Sequence, residues 1–232
     1  MNTKILKATP QTEDSHLTKL NIVPAVTVLP KWFKDKSQFQ NNETKFKLTP
    51  QGNNLTFKKC VPLLDALSCG YTLVLEEDVL VINENDNITF KWNSGKVLIT
   101  FQDNESPNIP EEYYQSVPKW MNFYNINTPN GYSLLAVHPL NRIELPFHTL
   151  SGVIDTDNFN TPINFPFYIK KNFEGIIKTG TPLVQLIPFK RENWNIKEGQ
   201  YDPNQTKQNW FKFYEDIKHA YKNQSWSKKT YQ

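Results

Sequence analysis

The stretch SGVIDTDNFNTPINFPFYIKKNFEGIIKTGTPLVQLIPF, residues 151–189, decides the fold class. With Leu150 before it, it divides into apolar runs rich in β-branched and aromatic residues: LSGVID, INFPFYI and GIIKTGTPLVQLIPF. Asp, Asn, Lys-Asn and Thr-Gly clusters separate these runs and favour turns. Prolines at 162, 166, 182 and 188 oppose a helix through any of them. The same texture continues upstream. GYSLLAVHPL and IELPF lie just before the stretch, and YTLVLEEDVLVI, NITFKW and KVLITF follow Gly70, with Asn-rich turns and Ser94-Gly95 read as a hairpin turn. Helical periodicity is absent from 71 to 189, and residues 102–120 read as a Pro/Glu-rich loop. The expectation is a mainly β module of ten or so strands over 55–189, built as a sandwich, jelly roll or barrel.

On either side of this module the texture changes. Residues 1–54 read as an extended N-terminal arm. Its segment PAVTVLPKWF carries Pro24 and Pro30, which argue against helix, and its apolar side chains predict docking, on the β module or across a subunit interface, with Trp32 as anchor and Phe33 beside it. LTFKKC (55–60) has strand character. VPLLDALSCG (61–70) predicts a short helix, with Pro62 in the first turn, Leu63, Leu64 and Leu67 on one face, and Gly70 ending it. Residues 190–232 read as a polar linker followed by an aromatic helix from about 207 to 223. There Trp210, Tyr214, Ile217 and Tyr221 form one stripe. Such a stripe ordinarily docks on the protein's own core; its alternative use is an interface made by Trp210 and Tyr214.

Composition narrows the function classes. No apolar run approaches the roughly 20 residues of a membrane helix, and MNTKILKATPQTEDSH lacks the apolar segment of a signal peptide. The expectation is therefore a protein of a virion or a host cytoplasm, with no membrane partner. Cys60 and Cys69 are too few for a disulfide framework or a four-cysteine zinc site and read as free thiols. Residues 1–60 carry ten lysines against four acidic residues, 61–186 seven basic against fourteen acidic, and 187–232 nine basic against five acidic. Neither basic flank has a dense Lys/Arg run interleaved with aromatics, so nucleic acid is not an expected partner.

Most chemical signatures are missing: no phosphate-binding glycine loop, no nucleophile elbow and no Cys-x-x-Cys. His138, His148, Asp155 and Asp157 do not have a metal-ligand spacing, and no metal site is expected. The densest polar constellation is HPLNRIELPFHTLSGVIDTDNF, residues 138–159. It holds Arg142, one of only two arginines in the chain, together with Asn141 and Glu144. Arg142 forking onto Glu144 or Asp155 would make a structural network, and a ligand site would explain the cluster equally well.

Three of these runs, in order, resemble the dUTPase/dCTP deaminase superfamily. They are CGYTLVLEEDVLV (69–81), the Gly-Val-Ile-Asp turn at 152–155, and the Gly-to-Leu strand at 180–186 that contains Gln185. The resemblance implies a jelly-roll barrel that assembles as a trimer. It implies that Asp155 activates the attacking water, that Gln185 contacts the nucleotide, and that Mg²⁺ is the cofactor if the chain is a hydrolase. Asn141 and Arg142 stand near the place of the family's phosphate loop, and Phe159 could stack on the sugar or base. Against this, Thr72 replaces the first-motif aspartate, Asn158 replaces the tyrosine, the Pro-Arg-Ser-Gly loop is missing, and an aromatic helix replaces the Gly-rich closing arm. The chain is also similar to an uncharacterised family of phage and bacterial genomes that shares its HPLNR, LSGVID and INFPF runs. The expectation is a non-enzymatic assembly module without a cofactor, forming a homo-oligomer with other subunits of a phage particle as a capsid, decoration or tail protein. The alternative is a divergent dUTPase-like nucleotide pyrophosphatase or nucleotide-binding protein.

Overall fold

A computed structural model describes residues 3–11, 19–50, 52–84, 87–101 and 109–229. The fold is mainly β. The strands are β1 (Lys7–Pro10), β2 (Ile22–Pro24), β3 (Leu48–Thr49), β4 (Gly52–Asn53), β5 (Tyr71–Val74), β6 (Val79–Glu84), β7 (Asn87–Lys91) and β8 (Ile99–Phe101). They continue with β9 (Pro118–Trp120), β10 (Tyr124–Asn127), β11 (Tyr132–Val137), β12 (Phe147–Thr149), β13 (Gly152–Ile154), β14 (Phe165–Ile169), β15 (Gly175–Ile177) and β16 (Pro182–Lys190). The α-helices are α1 (Lys31–Asp35), α2 (Val61–Ser68) and α3 (Pro203–Glu215). The chain divides into two compact units, Met1–Val28 with Cys69–Arg191, and Leu29–Ser68 with Glu192–Gln232.

The first unit holds all the sheets but the two-stranded β3-β4 pair. One has the order β13-β11-β16-β5-β2, another β12-β14-β9-β8 and a third β15-β6-β7, with β1 paired to β10. Each sheet is open among the described residues. A single apolar core joins them, drawing Leu73, Val81, Trp120, Ile126, Leu134, Phe167 and Leu186 from different strands. Trp120 stacks on Phe167 at 3.8 Å between ring centres and meets Phe147 edge-on at 5.1 Å. Residues 182–186 are buried in succession instead of alternately. That pattern belongs to a strand flanked on both sides, here by β11 and β5, and covered on both faces. Gly70, just before β5, has φ +69°, and a Cβ there would sit 2.2 Å from the Leu186 carbonyl oxygen. Only glycine lets the chain turn this close to β16.

Several expectations need correction. The N-terminal segment docks as expected, but as strands: β1 pairs with β10, β2 pairs with β5, and Ile22 and Ala25 are buried. PAVTVLPKWF is not extended throughout. A 3₁₀ turn occupies Ala25–Val28 and α1 follows. Pro30 is the N-cap of α1, where a missing N–H costs nothing, so the proline opens a helix that it was expected to prevent. In α1 Phe33 is buried at 3% exposure and Trp32 stands 40% exposed, so Phe33 is the anchor. Residues 57–59 form a 3₁₀ turn capped by Thr56, not a strand. Ser94-Gly95 does not close a hairpin: β7 pairs with β6, while β8 pairs with β9 in another sheet. Of the expected loop at 102–120, residues 118–120 are β9 and 102–108 lie outside the described residues.

The second unit is built from turns, helices and the short β3-β4 pair. Phe33, Phe39, Leu67 and Ala220 are its buried apolar residues. Buried Asn54 ties a loop together, accepting from the Lys47 N–H (2.9 Å) and donating to Glu43 (2.7 Å) and the Lys45 carbonyl (2.9 Å). Helix α2 falls where its sequence predicts. Helix α3 starts four residues earlier than expected, because Asp202 caps it by accepting from the N–H groups of Asn204 and Gln205, with Pro203 in the first turn. Of the expected stripe, Trp210 and Tyr214 lie on α3 and face solvent, while Ile217 and Tyr221 lie beyond its end. Trp210 is 55% exposed, Tyr214 61%, and α3 buries no residue.

Candidate functional site

The residues singled out by sequence fall into two clusters on the β unit. β11 and β16 run antiparallel, pairing Ser133 with Phe189 at one end and Val137 with Gln185 at the other. Four residues of strand separate the ends, about 13 Å. Asp155 belongs to the first end and Gln185 to the second.

At the second end, the turn 138–146 carries Asn141 and Arg142. Asn141 adopts φ +60°, a conformation asparagine tolerates in tight turns. Arg142 Nε donates to Glu144, and its Nη1 donates to the Val28 carbonyl at 3.0 Å. Of the two partners open at the sequence level, Glu144 is the one taken. Gln185 is 2% exposed. Its Oε1 accepts the Leu140 N–H at 2.9 Å and its Nε2 donates to the Cys69 carbonyl at 2.7 Å, fastening the turn and the residue before Gly70 to the central strand.

His138 and His148 stack at 4.7 Å beside this turn. His138 Nδ1 accepts the Thr149 N–H (3.3 Å), which leaves Nε2 to donate to the Arg142 carbonyl (3.2 Å). These bonds define the neutral tautomer. Burial is the main force that lowers the His138 pKa to about 4, outweighing the Arg142 carbonyl, which acts the other way. Burial likewise lowers that of His148.

At the first end, Arg191 gathers what sequence reasoning did not assemble. Its Nη1 lies 3.0 Å from Asp157 Oδ1, 2.9 Å from Ser133 Oγ, 3.1 Å from the Tyr132 carbonyl and 3.3 Å from Asp155 Oδ1; its Nη2 donates to Asp157 Oδ2. The Asp157 side chain is only 4% exposed, and it also accepts the Gly131 N–H at 2.9 Å. The Arg191 hydrogen bond holds its carboxyl down at about 2. Asp155 accepts from Ser133 Oγ at 2.6 Å, and its side chain is 63% exposed. Phe159 lies on the turn after Asp155, where its N–H bonds the Asp155 carbonyl at 3.0 Å, and it is 45% exposed. The signal that could have found Arg191 was the scarcity of arginine, which drew attention only to Arg142.

This geometry bears on chemistry through charge. A phosphate site needs cationic donors left over for the ligand. Arg191 is matched by two carboxylates and Arg142 by one, so neither cluster has a net positive charge from these groups. Thr72, where the resembling family carries an aspartate, is buried at 1% exposure and donates to the Val184 carbonyl at 2.8 Å, inside the sheet. Among the described residues, no group of three His, Cys, Asp or Glu could hold a metal ion, and no helix is long and apolar enough to cross a membrane. Comparison with known protein families gave no match to this chain, and no curated protein sequence matches it.

Proposed function

We propose that the chain is a non-enzymatic assembly subunit, a jelly-roll-like variant that joins copies of itself and other subunits in a phage particle. The observation that carries this reading is the apolar surface of the C-terminal segment. Trp194 (85% exposed), Ile196 (102%) and Tyr201 (80%) precede Trp210, Phe211 and Tyr214 on α3, all more than half exposed. Monomeric proteins seldom leave so many large apolar side chains in water, and aromatic residues on a peptide-like extension are typical anchors for a partner surface. The ion pairing of Arg142 and Arg191 supports the same reading, because it leaves neither guanidinium unmatched for the triphosphate that the family resemblance implies. Asp155 then serves to fasten Arg191 and Ser133.

The test is the full chain carrying Trp210→Ser, Phe211→Ser and Tyr214→Ser, weighed in solution by light scattering. The triple variant is expected to lose the native oligomeric mass while keeping its circular dichroism. A variant of unchanged mass would remove α3 as the contact. Turnover of dUTP with Mg²⁺ that Asp155→Asn abolishes would replace this reading with the hydrolase.

A further inference from the structure

The second unit contains a cleft of about 560 Å³ that neither cluster above uses. Its size falls in the range of small-molecule sites, roughly 300–1,000 Å³. The wall is apolar, formed by Leu55, Leu64, Phe213, Ile217 and Trp226. Lys58, Lys59, Lys218, Lys222 and His219 also line it, and no carboxylate does. Two carboxylates bond residues of the lining from behind: Asp65 accepts from Trp226 Nε1 (2.9 Å) and from Lys229 Nζ (2.6 Å), and Asp216 lies 3.7 Å from His219 Nδ1 and accepts from Asn223 (2.7 Å). Lys58 donates to the carbonyls of Phe33 and Lys34. Lys59 and Lys222 form no ion pair among the described residues.

An apolar cleft lined by unmatched ammonium groups selects one class of occupant. A small inorganic anion would leave the apolar wall wet, and a neutral apolar molecule would leave the lysines without counter-charge. We propose that this cleft binds an amphipathic anion of the long-chain carboxylate type. Its tail lies against Leu55, Leu64, Phe213 and Ile217, and its head group is neutralised by Lys59 and Lys222. Cys60 also lines the cleft, so occupancy shields its thiol. The lysines that define the head-group site, Lys59 and Lys222, lie outside the proposed assembly contact of Trp194, Trp210, Phe211 and Tyr214, although Phe213 in the cleft wall packs on Trp210 and Tyr214.

The probe is laurate, titrated calorimetrically into the full chain below its micelle concentration. Dodecyltrimethylammonium tests the opposite head on the same tail, and acetate tests the head alone. One laurate per chain is expected, binding at least about tenfold tighter than either control, and Cys60 alkylation should slow several-fold when laurate is bound. Lys59→Glu with Lys222→Glu should weaken laurate about tenfold or more and favour the cationic probe; Lys59→Gln with Lys222→Gln should reproduce the loss without adding negative charge. Equal binding of the two twelve-carbon probes, several laurates per chain, no binding, or an affinity indifferent to both double variants would each overturn the proposal.

Discussion

Replacing Gln185 by leucine separates a structural role for this side chain from a ligand-contacting one. Leucine roughly fills the space but cannot accept the Leu140 N–H or donate to the Cys69 carbonyl, which Gln185 now does at 2.9 and 2.7 Å. A polar group deprived of its partner in a buried setting costs roughly 1–3 kcal/mol. Leu140 and Cys69 are themselves only half-buried, so water reaches them in part and the lower half of that range applies to each. The sum is about 2–4 kcal/mol. For a protein of this length roughly 2–4 °C of melting temperature accompanies each kcal/mol, which places the loss at about 4–16 °C. Thermal and urea unfolding, followed by circular dichroism, measure it. A Gln185→Leu protein melting within about 1 °C of the parent would refute the brace and return Gln185 to the candidates for ligand contact.

Two further outcomes follow from the β unit. His138 has a folded-state pKa of about 4 against 6.5 for the free side chain, so the unfolded chain takes up the proton first. Its contribution is complete above pH 6.5 and falls as the pH drops toward 4, by at most about 3 kcal/mol; urea titrations across that window should show the decline, and His138→Gln should flatten it. Gly70→Ala forces a Cβ to within 2.2 Å of the Leu186 carbonyl at a positive φ, and should cost more than about 2 kcal/mol or prevent folding; an alanine variant as stable as the parent would contradict the close packing of this turn on β16.

What the sequence made legible followed from periodicity. The strands over 151–189 and helix α2 emerge because alternation, proline placement and a terminal glycine are local signals. The pairing of β2 with β5 is not local: Ile22 meets Leu73 across 51 positions, and a short Ile-Val-Pro run looks the same whether it dangles or docks. Pro30 was misread because the same residue that breaks a helix interior is at ease where one begins. The site divides in the same way. Arg142 and Glu144 stand two apart, so their pairing is visible in the sequence. Arg191 reaches Asp157 only because β16 returns beside β11, a register fixed by tertiary packing. The aromatic stripe of α3 was recognised by its period, yet periodicity cannot tell a stripe that meets its own core from one that faces outward.

The account rests on assembly, and sedimentation equilibrium of the unmodified chain tests it most directly. The prediction is a species at a whole multiple of the 27.1 kDa chain, three by the resemblance in the β unit, persisting at micromolar concentration. A chain that sediments at 27.1 kDa throughout that range would contradict it.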